Sequence, residues 1–185
     1  MNSSLDSLRR LLAERSARRG HFTLSSGHES TLYIDARLTT MSPEGLVLIG
    51  QLGLEAIQNS DWNVQSVGGL TLGADPVVYA IAYTSVATGR LIRAFSVRKE
   101  AKTHGTGRLI EGPFMAGDRV AVVEDVITTG ASALKAVTAV QNAGGIVAGV
   151  LAIVDRNEGG REAIEATGLP VIALTTSEDI VSQMS

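Results

Sequence analysis

The stretch from Arg119 to Ser132 constrains this chain more than any other. Val120-Ala121-Val122-Val123 is an unbroken apolar run, short enough for a strand buried on both faces. Two adjacent carboxylates, Glu124 and Asp125, follow where that strand is expected to end. After Val126 and Ile127 comes a turn of hydroxyls and a glycine, Thr128-Thr129-Gly130-Ala131-Ser132, and then a helical pattern from Ala133 to Val140. Ligands of parallel α/β sheets collect at the carboxyl ends of strands, so the acids and hydroxyls are expected to face one crevice. A turn that opens a helix offers N–H groups and hydroxyls to a phosphate, at the positive end of the helix dipole. Two carboxylates repel a second phosphate but accept hydrogen bonds from a vicinal diol. A sugar phosphate suits both halves, with its phosphate in the turn and its ribose hydroxyls on the acids. The stretch lacks the lysine of a Walker P-loop, which excludes that pattern.

The rest of the chain is consistent with one domain spanning residues 1–185, long enough for a sizeable core. Hydrophobic residues make up 44% and charged residues 19%, unlike a disordered chain. A net charge of −3 argues against a polyanion binder, so any basic function must be local. The absence of cysteine excludes disulfides and thiolate chemistry. No apolar run reaches membrane-spanning length, and Ile146 to Val154 has the length of a buried strand. Ser3 to Arg19 is rich in Ser and Arg, as transit peptides are, but Asp6 and Glu14 interrupt it. Leu5, Leu8, Leu11 and Leu12 fall at helical spacing, which predicts a first helix of the folded domain.

Along the chain, strands are expected at His21–Leu24 and Thr31–Asp35, around the turn Ser25-Ser26-Gly27-His28. Ser42-Pro43-Glu44 reads as a helix start, with a helix running to about Gln58. A strand at Val64–Val67 leads into a glycine-rich turn, Gly68 to Pro76, where the backbone can approach a ligand closely. A helix to about Thr88 and a strand at Leu91–Val97 follow. The closing units are a strand at Ile146–Val154, a helix near Arg161–Ala166, a strand at Val171–Leu174 and a helix near Glu178. Strands alternating with helices predict a mainly parallel, doubly wound sheet.

Between the strands at Val97 and Val120 lies a long connection rich in cations: Arg98, Lys99, Lys102, His104 and Arg108 against the single acid Glu100. Gly105 and Gly107 would let it hinge. A mobile cationic lid suits a reaction in which negative charge develops on a leaving group.

These residues together resemble the type I phosphoribosyltransferases, and within them the orotate phosphoribosyltransferases. The superfamily resemblance rests on Glu124 to Ser132. The narrower one rests on Arg98-Lys99-Glu100-Ala101-Lys102-Thr103-His104-Gly105, on Phe22 to Gly27 with Tyr33-Ile34-Asp35, and on Asp155-Arg156. The resemblance implies an α/β fold with a doubly wound, mainly parallel sheet flanked by helices, a small N-terminal hood and a flexible catalytic loop. It implies transfer of ribose 5-phosphate from phosphoribosyl pyrophosphate to orotate, giving orotidine 5′-monophosphate and pyrophosphate in pyrimidine biosynthesis. Catalytic roles fall to Lys102, as general acid or electrostatic partner of the leaving group, and to Asp125. Phosphoribosyl pyrophosphate would contact Arg98, Lys99, Lys102, His104, Glu124, Asp125, Val126, Ile127, Thr128, Thr129, Gly130, Ala131 and Ser132. Orotate would contact Arg156, through its carboxylate, and Thr128. The resemblance further implies Mg²⁺ held mainly by substrate and water, with no metal-ligating residues, and a homodimer with shared active sites. A cytoplasmic location with no nucleic-acid or membrane partner is expected. The alternatives are a purine or uracil phosphoribosyltransferase, or a non-catalytic regulator that senses phosphoribosyl pyrophosphate.

Two positions depart from the family pattern. Many members carry lysine where this chain has Ser25 and Leu72, which leaves the diphosphate site less cationic. The resemblance also places a non-proline cis peptide between Leu70 and Thr71.

Overall fold

The structure is a computed structural model that describes residues 3–23, 29–100 and 109–184. A first helix, α1 (Ser3–Leu11), passes into a π-helical turn (Leu12–Ser16), and the chain then extends as β1 (Ala17–Thr23). The expected helix therefore stops short of Arg19. Residues 17–19 pair antiparallel with β2 (Glu29–Ile34), Ala17 opposite Ile34, and that long-range pairing overrides the local helical period. β1 and β2 form a separate two-stranded sheet, the hood.

After a short α2 (Arg37–Thr40), Ser42 caps α3 (Pro43–Asn59), its hydroxyl accepting from the N–H of Gly45 at 3.1 Å with proline in the first turn. Such a cap contributes about 1 kcal/mol. The main sheet then builds from β3 (Ser66–Leu70), α4 (Ala74–Ser85), β4 (Arg93–Val97), β5 (Ile110–Glu111), β6 (Arg119–Ile127), α5 (Ala131–Asn142), β7 (Ile146–Asp155), α6 (Gly160–Glu165), β8 (Val171–Thr176) and α7 (Ser177–Val181). Its strand order is β5-β4-β3-β6-β7-β8, parallel except for the edge strand β5. One apolar layer joins α1, α3, α4 and α7 to one face of the sheet, and a second joins α5 and α6 to the other. This is the doubly wound α/β arrangement.

Gly68 and Gly69 belong to β3 rather than to a turn, which corrects the expected glycine-rich loop. A Cβ on Gly68 would lie 2.2 Å from the Phe95 ring, and one on Gly69 2.0 Å from the carbonyl of Val123. The small residues let neighbouring elements close up. The turn is confined to Thr71–Gly73, and the cis peptide lies between Thr71 and Leu72, one bond later than expected. Leu70 is still in register with Val97 of β4, and Thr71 N–H donates to the Val97 carbonyl at 2.8 Å, so regular strand geometry runs through the expected position. The connection from β4 to β6 also holds β5, which sequence periodicity did not reveal because it spans two residues.

Candidate active site

β6 carries the acidic pair at the place where its two neighbours diverge. Its pairing with β3 is in register from Ser66–Val120 to Gly68–Val122, whereas its pairing with β7 continues to Ile127–Asp155. The β3 side of the acids is thus left to the Thr71–Gly73 turn. Adjacent strand residues ordinarily point to opposite faces. Here Val120 and Val122 pack in one core layer and Ala121 and Val123 in the other, but Val126 joins the layer of Val123 and Ile127 that of Val122. The alternation slips by one residue across Glu124 and Asp125, and both line a single cavity of about 520 Å³.

The same cavity takes in Thr128, Thr129 and Gly130 of the turn and Ala131 and Ser132, which begin α5 two residues earlier than the expected Ala133, together with Lys99, Arg156, Leu72, Tyr33 and Arg37. Gly130 ends the turn at φ +78°, a left-handed conformation, and as the N-cap of α5 it has no side chain to offer; the first N–H of the helix, that of Ala131, donates over a long 3.5 Å to Thr129 Oγ1. Ser132 and Ala133, the next residues of this first helical turn, also line the cavity. The turn is buttressed by Gly160, where a Cβ would sit 2.5 Å from the Thr128 carbonyl.

Burial, repulsion from Asp125 and a side-chain hydrogen bond to Asp125 push the Glu124 carboxyl well above the usual carboxylate range, while Lys99 opposes the shift. Oε2 of Glu124 is buried with no partner among the described residues. Burial also raises Asp125, against a hydrogen bond that its Oδ1 accepts from the N–H of Val126 at 2.9 Å. The pair is therefore desolvated and under-satisfied, ready for hydroxyl donors.

Asp155 and Arg156, adjacent in sequence, take separate partners. Asp155, fully buried, accepts from Arg161 Nε at 2.8 Å and from the N–H of Asn157 at 2.9 Å. Arg156 reaches into the cavity and joins the sheet to the hood, donating to Ser30 Oγ at 3.1 Å and to the Leu32 carbonyl at 3.0 Å.

The expected cations are divided. Lys99 lines the cavity. Arg98 does not; it pairs with Glu111 of β5 at 3.5 Å. Lys102 and His104, with the rest of 101–108, lie outside the described residues, as does Ser25. One cavity cation escaped sequence reading. Arg37 forms a two-point ion pair with Asp35 at 2.8 and 2.9 Å, and its charge is felt at Asp125. Its place two residues beyond Tyr33-Ile34-Asp35 was the available signal.

A mainly parallel sheet with this acid-and-hydroxyl crevice at its strand ends defines a type I phosphoribosyltransferase fold. No family model matches the chain. The orotate phosphoribosyltransferase of Mycobacterium avium is 55% identical over 166 residues, covering 90% of each chain. Orotate phosphoribosyltransferase from Mycobacterium tuberculosis in complex with inorganic phosphate superposes with a TM-score of 0.84 at 46% identity, covering 97% of this chain and 99% of that one. The same enzyme in complex with 5-phospho-alpha-D-ribosyl 1-diphosphate gives 0.79 at 42% identity, over 97% and 93%. The chain belongs to the orotate phosphoribosyltransferase family.

Proposed function

We propose that this chain, as a single phosphoribosyltransferase unit, joins orotate to the anomeric carbon of phosphoribosyl pyrophosphate and releases pyrophosphate and orotidine 5′-monophosphate. The observation that carries the reading is the convergence of the acidic pair, the α5 turn and Arg156 on one cavity. Phosphoribosyl pyrophosphate bound to a relative of 42% identity supports it.

In this reading the 5-phosphate sits on the N–H groups and hydroxyls of Thr128 to Ser132, and that binding fixes the position of the reacting carbon. Glu124 and Asp125 accept from the ribose diol; those donors favour the ionised form of Glu124, which burial otherwise holds protonated, so that the pair opposes the positive charge that grows on the ring as the C–O bond breaks. The bonding electrons leave with the pyrophosphate, where Lys99 contributes positive charge and Lys102 and His104 of the lid add theirs. Arg98 contributes only if it leaves Glu111. Arg156 grips the orotate carboxylate, and Thr128 borders the same space.

The donor set fits Mg²⁺ held mainly by substrate oxygens and water: two hard carboxylates face the cavity, one with an unpartnered oxygen. Among the described residues, no group of three or more acidic or imidazole side chains could hold a metal by itself. When bound, the ion supplies charge neutralisation at the diphosphate.

A two-fold dimer with lids shared between subunits completes the proposal. Tyr79 and Tyr83 of α4 and Val86 of the 3-10 turn that follows it are exposed at helical spacing, and Leu72, which lines the cavity, is exposed as well. A second copy packed on that helical stripe would repeat the contact reciprocally, as a two-fold dimer requires. No helix among the described residues is long and apolar enough to cross a membrane.

The deciding assay follows loss of orotate absorbance with phosphoribosyl pyrophosphate and Mg²⁺. Turnover of orotate, and none of uracil, adenine or hypoxanthine, is expected. Turnover of a purine or uracil instead would overturn the assignment.

A further inference from the structure

Arg156 has more acceptors than its protons can serve on one nitrogen and too few on another. Nη2 faces Ser30 Oγ at 3.1 Å, the Leu32 carbonyl at 3.0 Å and Glu158 Oε1 at 2.7 Å. A guanidinium Nη carries two protons, so one of the three contacts is shared or given up. Nε of the same group is buried with no partner among the described residues. The side chain is only 5% exposed, so neither defect is repaired by bulk water.

The three acceptors do not yield equally. The Leu32 carbonyl belongs to the β2 backbone. Ser30 Oγ is tied down by donating to that carbonyl at 2.8 Å and accepting from the Leu32 N–H at 3.2 Å. The Glu158 side chain is 37% exposed. It stands between Asn157 at φ +55° and Gly159 at φ +87°, in a turn held at its base by the ion pair of buried Asp155 with half-buried Arg161. The turn can keep its shape while the Glu158 carboxylate rotates toward solvent.

We propose that Glu158 is an internal competitor for the base site: its carboxylate occupies Arg156 in the free enzyme, yields to the carboxylate of the incoming base, and returns to help displace the product. The inference rests on the reading of Arg156 as the residue that grips that carboxylate. A buried guanidinium without a counter-charge is costly, and Glu158 supplies one between turnovers. A planar ligand carboxylate can bridge Nε and one Nη, satisfying the donor that Glu158 leaves bare. Both carboxylates on one guanidinium would leave net negative charge beside Glu124 and Asp125, so the more exposed of them departs. The product keeps the carboxylate of its base and meets the same competition on the way out. A neutral pyrimidine has no charge to exchange and leaves the ion pair intact.

The test uses Glu158→Gln and Glu158→Ala in the full chain. The KM for orotate and the inhibition constant of orotidine 5′-monophosphate should both fall about two- to fivefold, the span of a part-exposed ion pair converted to affinity. The alanine variant should move at least as far as glutamine, and inhibition by uracil should stay where it was. A residue that merely positions Arg156 would move both constants upward. Constants that rise or do not change would overturn the competitor role. Arg156→Ala separates the two layers of the argument. If it raises the orotate KM while the Glu158 variants lower nothing, the competitor role alone fails. If it leaves the orotate KM unchanged, the reading of the base site fails, and the competitor with it.

Discussion

Gly73 and Asp125 approach so closely that a Cβ on the glycine would lie 2.5 Å from Oδ1 of the acid and 2.7 Å from its Cγ. The glycine backbone is right-handed helical, at φ −62° and ψ −44°, which any residue adopts. Only the missing side chain matters here, because it lets the Thr71–Gly73 turn press against the acidic pair. Gly73→Ala should therefore leave the fold intact and displace the Asp125 carboxylate. We expect kcat to fall on the order of 10²-fold, as a small misplacement at a reacting centre does. Parent-like turnover in a folded variant would show that the contact has no bearing on catalysis.

Asp125→Asn keeps the size of the side chain and removes its charge. Loss of one preorganised electrostatic group costs about 10²–10³ in turnover. Steady-state kinetics on variant protein with a parent-like melting curve provides the check, and a loss of less than about threefold would remove Asp125 from its assigned role.

Arg156→Ala should raise the KM for orotate by roughly 30-fold or more, since it truncates a buried charge-assisted pair. The KM for phosphoribosyl pyrophosphate should move far less. Arg156→Lys should rescue poorly, because a point charge cannot bridge a carboxylate as a guanidinium does.

Stability should respond to pH through Glu124. Its carboxyl is raised in the fold, first by burial, so above the usual carboxylate range the native state still holds a proton that the unfolded chain has released. Stability is then fully present at low pH and is lost as pH rises through the raised value. Glu124→Gln cannot ionise and should flatten that decline. Urea midpoints measured across the acid-to-neutral range would test this, and parallel curves for parent and variant would contradict it.

Subunit mixing tests the shared lid. Lys102→Ala and Asp125→Asn are each expected to be inactive. In a mixed dimer, one site would combine an intact Asp125 with the intact Lys102 of its neighbour. Random exchange should return roughly a quarter of parental activity. If subunits demonstrably exchange and the mixture stays inactive, each lid serves its own site.

The sequence by itself determined what depends on neighbours in the chain. Strand β6, the carboxylates, the hydroxyl turn and α5 are contiguous, and their periodicity and turn chemistry act over a few residues, so the meeting of acids and hydroxyls in one crevice was legible before any fold was known. Ser42 as the cap of α3 was legible for the same reason. Tertiary structure decided whatever depended on partners far away along the chain. β1 begins at Ala17 because Ile34 pairs with it, against the helical spacing of the leucines. Gly68 lies inside a strand because Phe95 needs its space, although a glycine pair reads locally as a turn. Arg98 turns to Glu111 and Arg37 enters the cavity, and no local period separates these two cations. Glu124 and Asp125 meet the Thr71–Gly73 turn because β3 leaves β6 beyond the pairing of Gly68 with Val122, a relation between strands about fifty residues apart in sequence. Local interactions act on a chain before it folds, whereas pairing between distant segments has an energy only once the core has brought them together.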